Sequence, residues 1–91
     1  MPSRVQKGWL VYVLRCRDGS LYTGITNDLP KRLVAHAAGR ASKYTRSRLP
    51  VQLAHAERRR TKSAALKREA AIKKLPRSQK DLLVCSRAPR V

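Results

Sequence analysis

VYVLRCRDGSLYTGITNDLPKRLVAH, residues 11–36, is the stretch that decides how this chain folds. The run GWLVYVLRCR (8–17) is rich in Val, Tyr and Trp, residues that fit a pleated, half-buried surface, and predicts a strand. Asp18-Gly19 is a hairpin turn signal, and 21–26 (LYTGIT) predicts a second short strand. Asn27 and Asp28 can cap a helix, Pro30 suits its first turn, and Leu29, Leu33 and Ala37 repeat along one face up to Gly39. The length of the turn sets which side chains meet. A two-residue loop pairs Arg17 with Ser20 and sends Tyr12 and Tyr22 to opposite faces. A three-residue loop with Gly19 left-handed in a bulge shifts the register by one. Trp9, Val11, Val13, Leu21 and Ile25 then share one face, and Tyr12, Leu14, Tyr22 and Gly24 the other. The second register gives the cleaner apolar face and is the one expected.

Outward from this unit, 40–48 (RASKYTRSR) is basic and polar and reads as a loop or short helical turn. After Pro50, VQLAHAE alternates apolar with polar residues and predicts a third strand. Thr61 or Ser63 starts the clearest helix, TKSAALKREAAIKKL, dense in good helix formers, and Pro76 interrupts it. Ser78 and Asp81 have the spacing of a capping box for a last helix, SQKDLLVCSR. The order ββαβαα describes an α+β fold in a single domain over 8–87, with loose termini at 1–7 and 88–91.

Charge is the outlier in the composition. Lys and Arg number 22 against 5 Asp and Glu, a net charge of +17, in a chain of 91 residues with no Phe. The core is expected to be Leu, Val, Ile and Ala around Trp9. A compact domain so basic repels itself, and a polyanion partner offsets that repulsion. Nucleic acid, DNA first, fits better than a membrane, because no stretch is a clean amphipathic or spanning helix. Cys16 and Cys85 are too few and too far apart for a zinc site or a disulfide framework, and read as small core residues of a cytoplasmic protein.

The scarcity of acids limits the chemistry. Two-metal hydrolysis needs several converging carboxylates, and of Asp18, Asp28, Glu57, Glu69 and Asp81 three have local roles in turns or caps. Glu69 falls between Leu66 and Ile72 on the apolar side of its helix. It either pairs with Lys73 four residues on or coordinates something. Arg32 and His36 project together one turn apart, either as a solvated face or as groups for a transferring phosphate. Tyr12 and Tyr22 are ordinary strand residues taken singly, and His55 reads as structural.

Taken together, Tyr12, Tyr22-Thr23-Gly24, Asn27, Arg32, His36 and Glu69 resemble the GIY-YIG nuclease superfamily, over about residues 8–75. The closest likeness is to small stand-alone bacterial GIY-YIG proteins, through DGSLYTGIT (18–26), KYT (43–45) and REAAIKKL (68–75). The resemblance implies a central three-stranded antiparallel sheet flanked by helices and an endonuclease that cuts DNA with a single divalent cation, Mg2+ or Mn2+. It makes Glu69 the metal ligand, Tyr12 and Tyr22 the groups that orient or deprotonate water, and Arg32 the stabiliser of the pentacovalent phosphate. His36 falls where a proton-transfer residue stands. A tyrosine base needs its pKa lowered, which a nearby cation in a basic site can do. The departures are Leu10-Val11-Tyr12, without the first motif's glycine, and Thr23 in the second. With no second domain to supply specificity, Arg40, Lys43, Tyr44, Arg46 and Arg48 are expected to grip phosphates and stack a base. That binding would be salt-sensitive and largely sequence-independent, in DNA repair or recombination, with a protein partner supplying specificity. The alternative is a non-catalytic basic nucleic-acid-binding protein on a nuclease fold.

Overall fold

The computed structural model describes residues 8–85, and the expectations for 1–7, for the side chain of Cys85 and for 86–91 fall outside them. The elements run β1 (Trp9–Arg15), β2 (Leu21–Thr26), α1 (Leu29–Ala37), α2 (Lys43–Arg46), β3 (Gln52–Arg59), α3 (Lys62–Lys74) and α4 (Arg77–Cys85). The three strands form one antiparallel sheet in the order β2-β1-β3, so the strand that carries Tyr12 lies in the middle. The segment 40–48 contributes a four-residue helix, capped by the Ser42 hydroxyl, which accepts from the amides of Tyr44 and Thr45. No helix among the described residues is long and apolar enough to cross a membrane.

The hairpin takes the expected bulged register. Cys16 N–H donates to Ser20 O at 2.8 Å, Gly19 N–H donates to Cys16 O, and Gly19 sits at φ +88°, a conformation glycine adopts without penalty. Tyr12 therefore faces Gly24 and Leu14 faces Tyr22 across the strands. The two faces build two cores. Val11, Val13, Ala65, Ile72 and Val84 pack under α3 and α4, with Trp9, Leu21 and Ile25 beside them. Tyr12, Leu14 and Leu29 pack on the opposite face with Tyr22, Leu33 and Leu53. Trp9 is not the centre expected of it: it is half-buried, with the Lys62 ammonium 5.4 Å above its ring. On α1 the buried face is Leu29 and His36 rather than Leu29 and Ala37, because the 3.6-residue period carries position 36 under the sheet while Ala37 is exposed.

Pro76 separates α3 from α4, as its missing N–H and the restricted residue before it require. The capping box does not form. The last helix begins one residue earlier, at Arg77, and Asp81 accepts from Arg77 Nε at 2.7 Å instead of capping Ser78.

Behind the sheet, Glu57 on β3 accepts from Arg68 Nε at 2.8 Å, Arg59 Nη2 at 2.8 Å and His55 Nε2 at 2.7 Å. Burial pushes its carboxyl up, but hydrogen bonds from Arg68 and His55 and their charges outweigh that and hold it down at about 2. A depressed folded pKa stabilises the protein above the unfolded value, near 4.5, and that stability drains away as pH falls toward 2. Arg68→Ala is expected to cost about 2 kcal/mol at neutral pH and to flatten the loss of melting temperature between pH 5 and 2, read by thermal unfolding.

Candidate active site

The first-strand tyrosine and the first-helix histidine meet in the interior. Tyr12 Oη lies 2.9 Å from His36 Nε2, and His36 Nδ1 lies 2.9 Å from Thr45 Oγ1 on α2. Tyr12 is 2% exposed, and His36 and Thr45 are fully buried. The hydroxyl of Tyr12 has room because its neighbour across the ladder is Gly24. A Cβ there would stand 2.7 Å from Tyr12 Oη and 2.8 Å from Cζ. The motif glycine thus lets a phenol lie flat against backbone. Gly24→Ala must push aside a ring packed on all sides. We expect it to lower stability by about 1–3 kcal/mol and to break the bond to His36; a thermal melt and the His36 ring NMR signals read the two effects.

Of the other expected residues, Tyr22 lies against that pair. Tyr22 sets its ring edge-on to His36, with centroids 5.4 Å apart, and stacks on Tyr44 at 6.0 Å. Arg32, one turn before His36, is half-buried and borders a cleft of about 330 Å³ with Thr26, Asn27, Asp28, Lys31 and Ala35. Glu69 comes from another element, α3, and does not line that cleft. Its carboxylate is 19% exposed and pairs with Lys73 Nζ at 3.3 Å. Leu66, from which the apolar side was inferred, is 45% exposed, while Ala65 and Ile72 make the buried stripe and leave Glu69 at its margin.

Burial pushes the Tyr12 hydroxyl well above its usual range, the Tyr22 hydroxyl adds to that, Arg32 pulls it back in part, and Glu69 raises it again. For Tyr12, desolvation of a ring in the core outweighs the single Arg32 cation. His36 moves the other way, its pKa lowered by burial and then by Arg32, so the imidazole is held neutral.

The five basic-loop residues divide. Arg40, Lys43 and Arg46 are exposed and face solvent as phosphate-gripping groups would. Arg48 is engaged: Nε donates to Asp18 at 3.1 Å, Nη1 to Tyr44 O at 2.9 Å, and its guanidinium lies 3.9 Å over the Tyr44 ring. Tyr44 stacks with Tyr22 and carries the Arg48 guanidinium over its ring, so a base stacking there would compete with Arg48. Thr45 was not singled out by sequence. The signal was present in its spacing: three residues after the cap Ser42, it is the one uncharged position that one turn of helix carries inward.

A family model described as the GIY-YIG catalytic domain matches residues 8–81. The chain belongs to the GIY-YIG family. Its relatives include UPF0213 proteins of the archaea Natronomonas pharaonis, 53% identical over 81% of this chain and 87% of the relative, and Halobacterium salinarum, 51% identical over 80% and 95%. A UPF0213 protein of Staphylococcus saprophyticus is 49% identical over 81% and 90%. The likeness is therefore archaeal as well as bacterial. Two solution NMR structures share the fold. A UPF0213 protein from Bacillus halodurans has a TM-score of 0.58 at 40% identity, and a protein from E. faecalis 0.61 at 43%, each over 89% of this chain and 86% of the other. The GIY-YIG sheet and its flanking helices are thus the fold of this chain, and family membership places it among nucleases.

Proposed function

We propose that this GIY-YIG protein is an endonuclease that hydrolyses DNA phosphodiester bonds with one divalent cation and little intrinsic sequence preference. The observation that carries the reading is the buried Tyr12–His36 hydrogen bond, 2.9 Å long, with Tyr22 edge-on to the imidazole and Arg32 one turn before it on α1. A protein that only held DNA by charge would have no use for a neutral histidine bonded to a buried phenol under a cation.

Among the described residues no three His, Cys, Asp or Glu side chains cluster as a metal site. A single partly exposed carboxylate, Glu69, suits a hard cation that keeps water and substrate phosphate as its other ligands, which favours Mg2+ or Mn2+. When bound, such an ion would supply charge stabilisation at the phosphate. The protein's own residues move the protons and grip the substrate. Tyr12, kept protonated, donates its proton to His36 Nε2 and leaves its oxygen lone pairs free to accept. An attacking water gives its proton to Tyr12 Oη as the phenol proton passes to His36 Nε2, so no free phenolate forms. Arg32 offers a planar, permanently charged fork to the phosphate as negative charge develops. The exposed Arg40, Lys43 and Arg46 hold the flanking backbone, and sequence preference comes from a protein partner or from the form of the DNA, as in repair or recombination.

The test is nicking of supercoiled plasmid and of branched DNA with Mg2+ or Mn2+, with EDTA as control. Metal-dependent cutting is expected; binding with no cut on any DNA form would leave the purely DNA-binding reading. The pH profile follows from His36. Only the neutral imidazole accepts a proton, and its pKa lies below the ordinary 6.5. The rate is therefore flat at pH 7 and falls only below 6.5, as pH drops through the lowered pKa.

A further inference from the structure

Thr45 stands at the far end of the Tyr12–His36 pair, and the hydrogens of the three residues can be placed by counting partners. Thr45 Oγ1 has the Ser42 carbonyl 3.4 Å away, a group that only accepts. A Thr45 hydroxyl proton directed at that carbonyl leaves the lone pairs of Oγ1 for His36 Nδ1 at 2.9 Å. Nδ1 must then carry the ring proton, and Nε2 is bare. The same answer comes from the other end. Tyr12 is 2% exposed, and the partner of its hydroxyl among the described residues is His36 Nε2, so a satisfied phenol donates to that nitrogen. A neutral imidazole left to itself exchanges its proton between both nitrogens, and the form protonated at Nε2 cannot take a proton from Tyr12.

We infer that Thr45 is a positioning residue that fixes His36 in the Nδ1–H tautomer, so that Nε2 is always the acceptor facing Tyr12. Its own place is fixed in turn. Its amide, like that of Tyr44, points at the Ser42 hydroxyl that caps α2, and Arg48 N–H closes the turn on Thr45 O at 2.9 Å. Arg17 N–H donates to Arg48 O at 3.0 Å and Arg48 Nε to Asp18, so the hairpin turn that sets the Tyr12 register also clamps the turn that sets the His36 tautomer. This rests on the nuclease reading for its consequence, but the tautomer itself does not depend on cleavage.

The experiment is nitrogen NMR of the 15N-histidine-labelled full chain, with a nicking assay run beside it. In the wild type at pH 7.5, His36 is expected to show a pyrrole-type Nδ1 and a pyridine-type Nε2. Thr45→Val keeps the shape and removes the acceptor. It should average or reverse that pattern and slow cleavage about 10- to 100-fold, and Thr45→Ser should restore both. A wild-type His36 protonated at Nε2 overturns the inference without any variant, which covers the case in which Thr45→Val fails to fold. An unchanged pattern in folded Thr45→Val overturns it as well. If the wild type has the Nδ1–H tautomer and cuts no DNA, the nuclease reading fails while the tautomer assignment stands.

Discussion

Arg32→Ala is expected to slow DNA cleavage about 10³-fold or more while leaving the fold and most of the DNA affinity in place. The side chain is half-buried beside the cleft at the start of α1, and no hydrogen bond or ion pair of its guanidinium holds the structure together among the described residues. Its backbone N–H, which the substitution keeps, donates to Asp28 O at 3.0 Å in the first helical turn. Removing one cation from 22 lowers non-specific affinity little and the salt slope by about one unit. What is lost is charge next to the reacting centre. Arg32 lowers both Tyr12 and His36, so without it the phenol rises further and the imidazole returns toward its ordinary value. The acid limb of the pH–rate profile should therefore move upward in Arg32→Ala, a signature that a merely weakened DNA grip would not produce. Arg32→Lys keeps the charge without the planar fork and should fall between the two. A rate for Arg32→Ala within a few-fold of wild type would remove Arg32 from the mechanism.

The elements were legible because each had a local chemical reason. Asp18-Gly19 demanded a hairpin, Asn27 or Asp28 with Pro30 a helix start, Thr61 or Ser63 another, and Pro76 a break; the structure has each of these features, with Asp28 and Thr61 as the caps. The bulged register was legible because only one choice gave a clean apolar face. What failed lay one step further, where tertiary packing overrides a local pattern. Asp81 had the spacing of a capping box, yet Arg77 four residues earlier offers a charged donor and takes it. Trp9 had the composition of a core residue, yet it lies at the start of β1, where the sheet ends, and the centre belongs to Val11, Val13 and Ile72. In the candidate site the structure brings Tyr12, Tyr22 and His36 together, and these, like Arg32 and Glu69, were singled out in the sequence through their combined resemblance to a family. Thr45 was not, because a threonine acquires its role only from what lies beside it, and no periodicity states that position 45 meets position 36. The rise of the Tyr12 hydroxyl is hidden from the sequence for the same reason. A count of nearby cations is visible in sequence, whereas the desolvation that outweighs them is a property of the packed core.

Glu69→Gln separates the two readings of the remaining acid and should have the other large effect. Cleavage is expected to fall about 10³-fold or more, because a bound metal stabilises transition-state charge by several kcal/mol and that stabilisation leaves with the ion. The substitution keeps shape and removes charge. If Glu69 served only its ion pair with Lys73, 3.3 Å away on the next turn, Glu69→Gln and Lys73→Ala would look alike, each costing about 0.2–0.5 kcal/mol of stability and sparing cleavage. If Glu69 holds the cation, Glu69→Gln abolishes cleavage while Lys73→Ala leaves it near wild type, since the carboxylate is then freed of a competitor. DNA binding measured without metal should be unchanged or slightly tighter in Glu69→Gln, because a negative charge has left a surface facing a polyanion. Cleavage by Lys73→Ala should saturate at lower Mg2+ or Mn2+ than wild type, because the ion no longer competes with an ammonium for the carboxylate. Equal loss in both variants would mean that the pair acts as a structural unit, and equal retention would return Glu69 to the surface of α3 as one more charge on a basic helix.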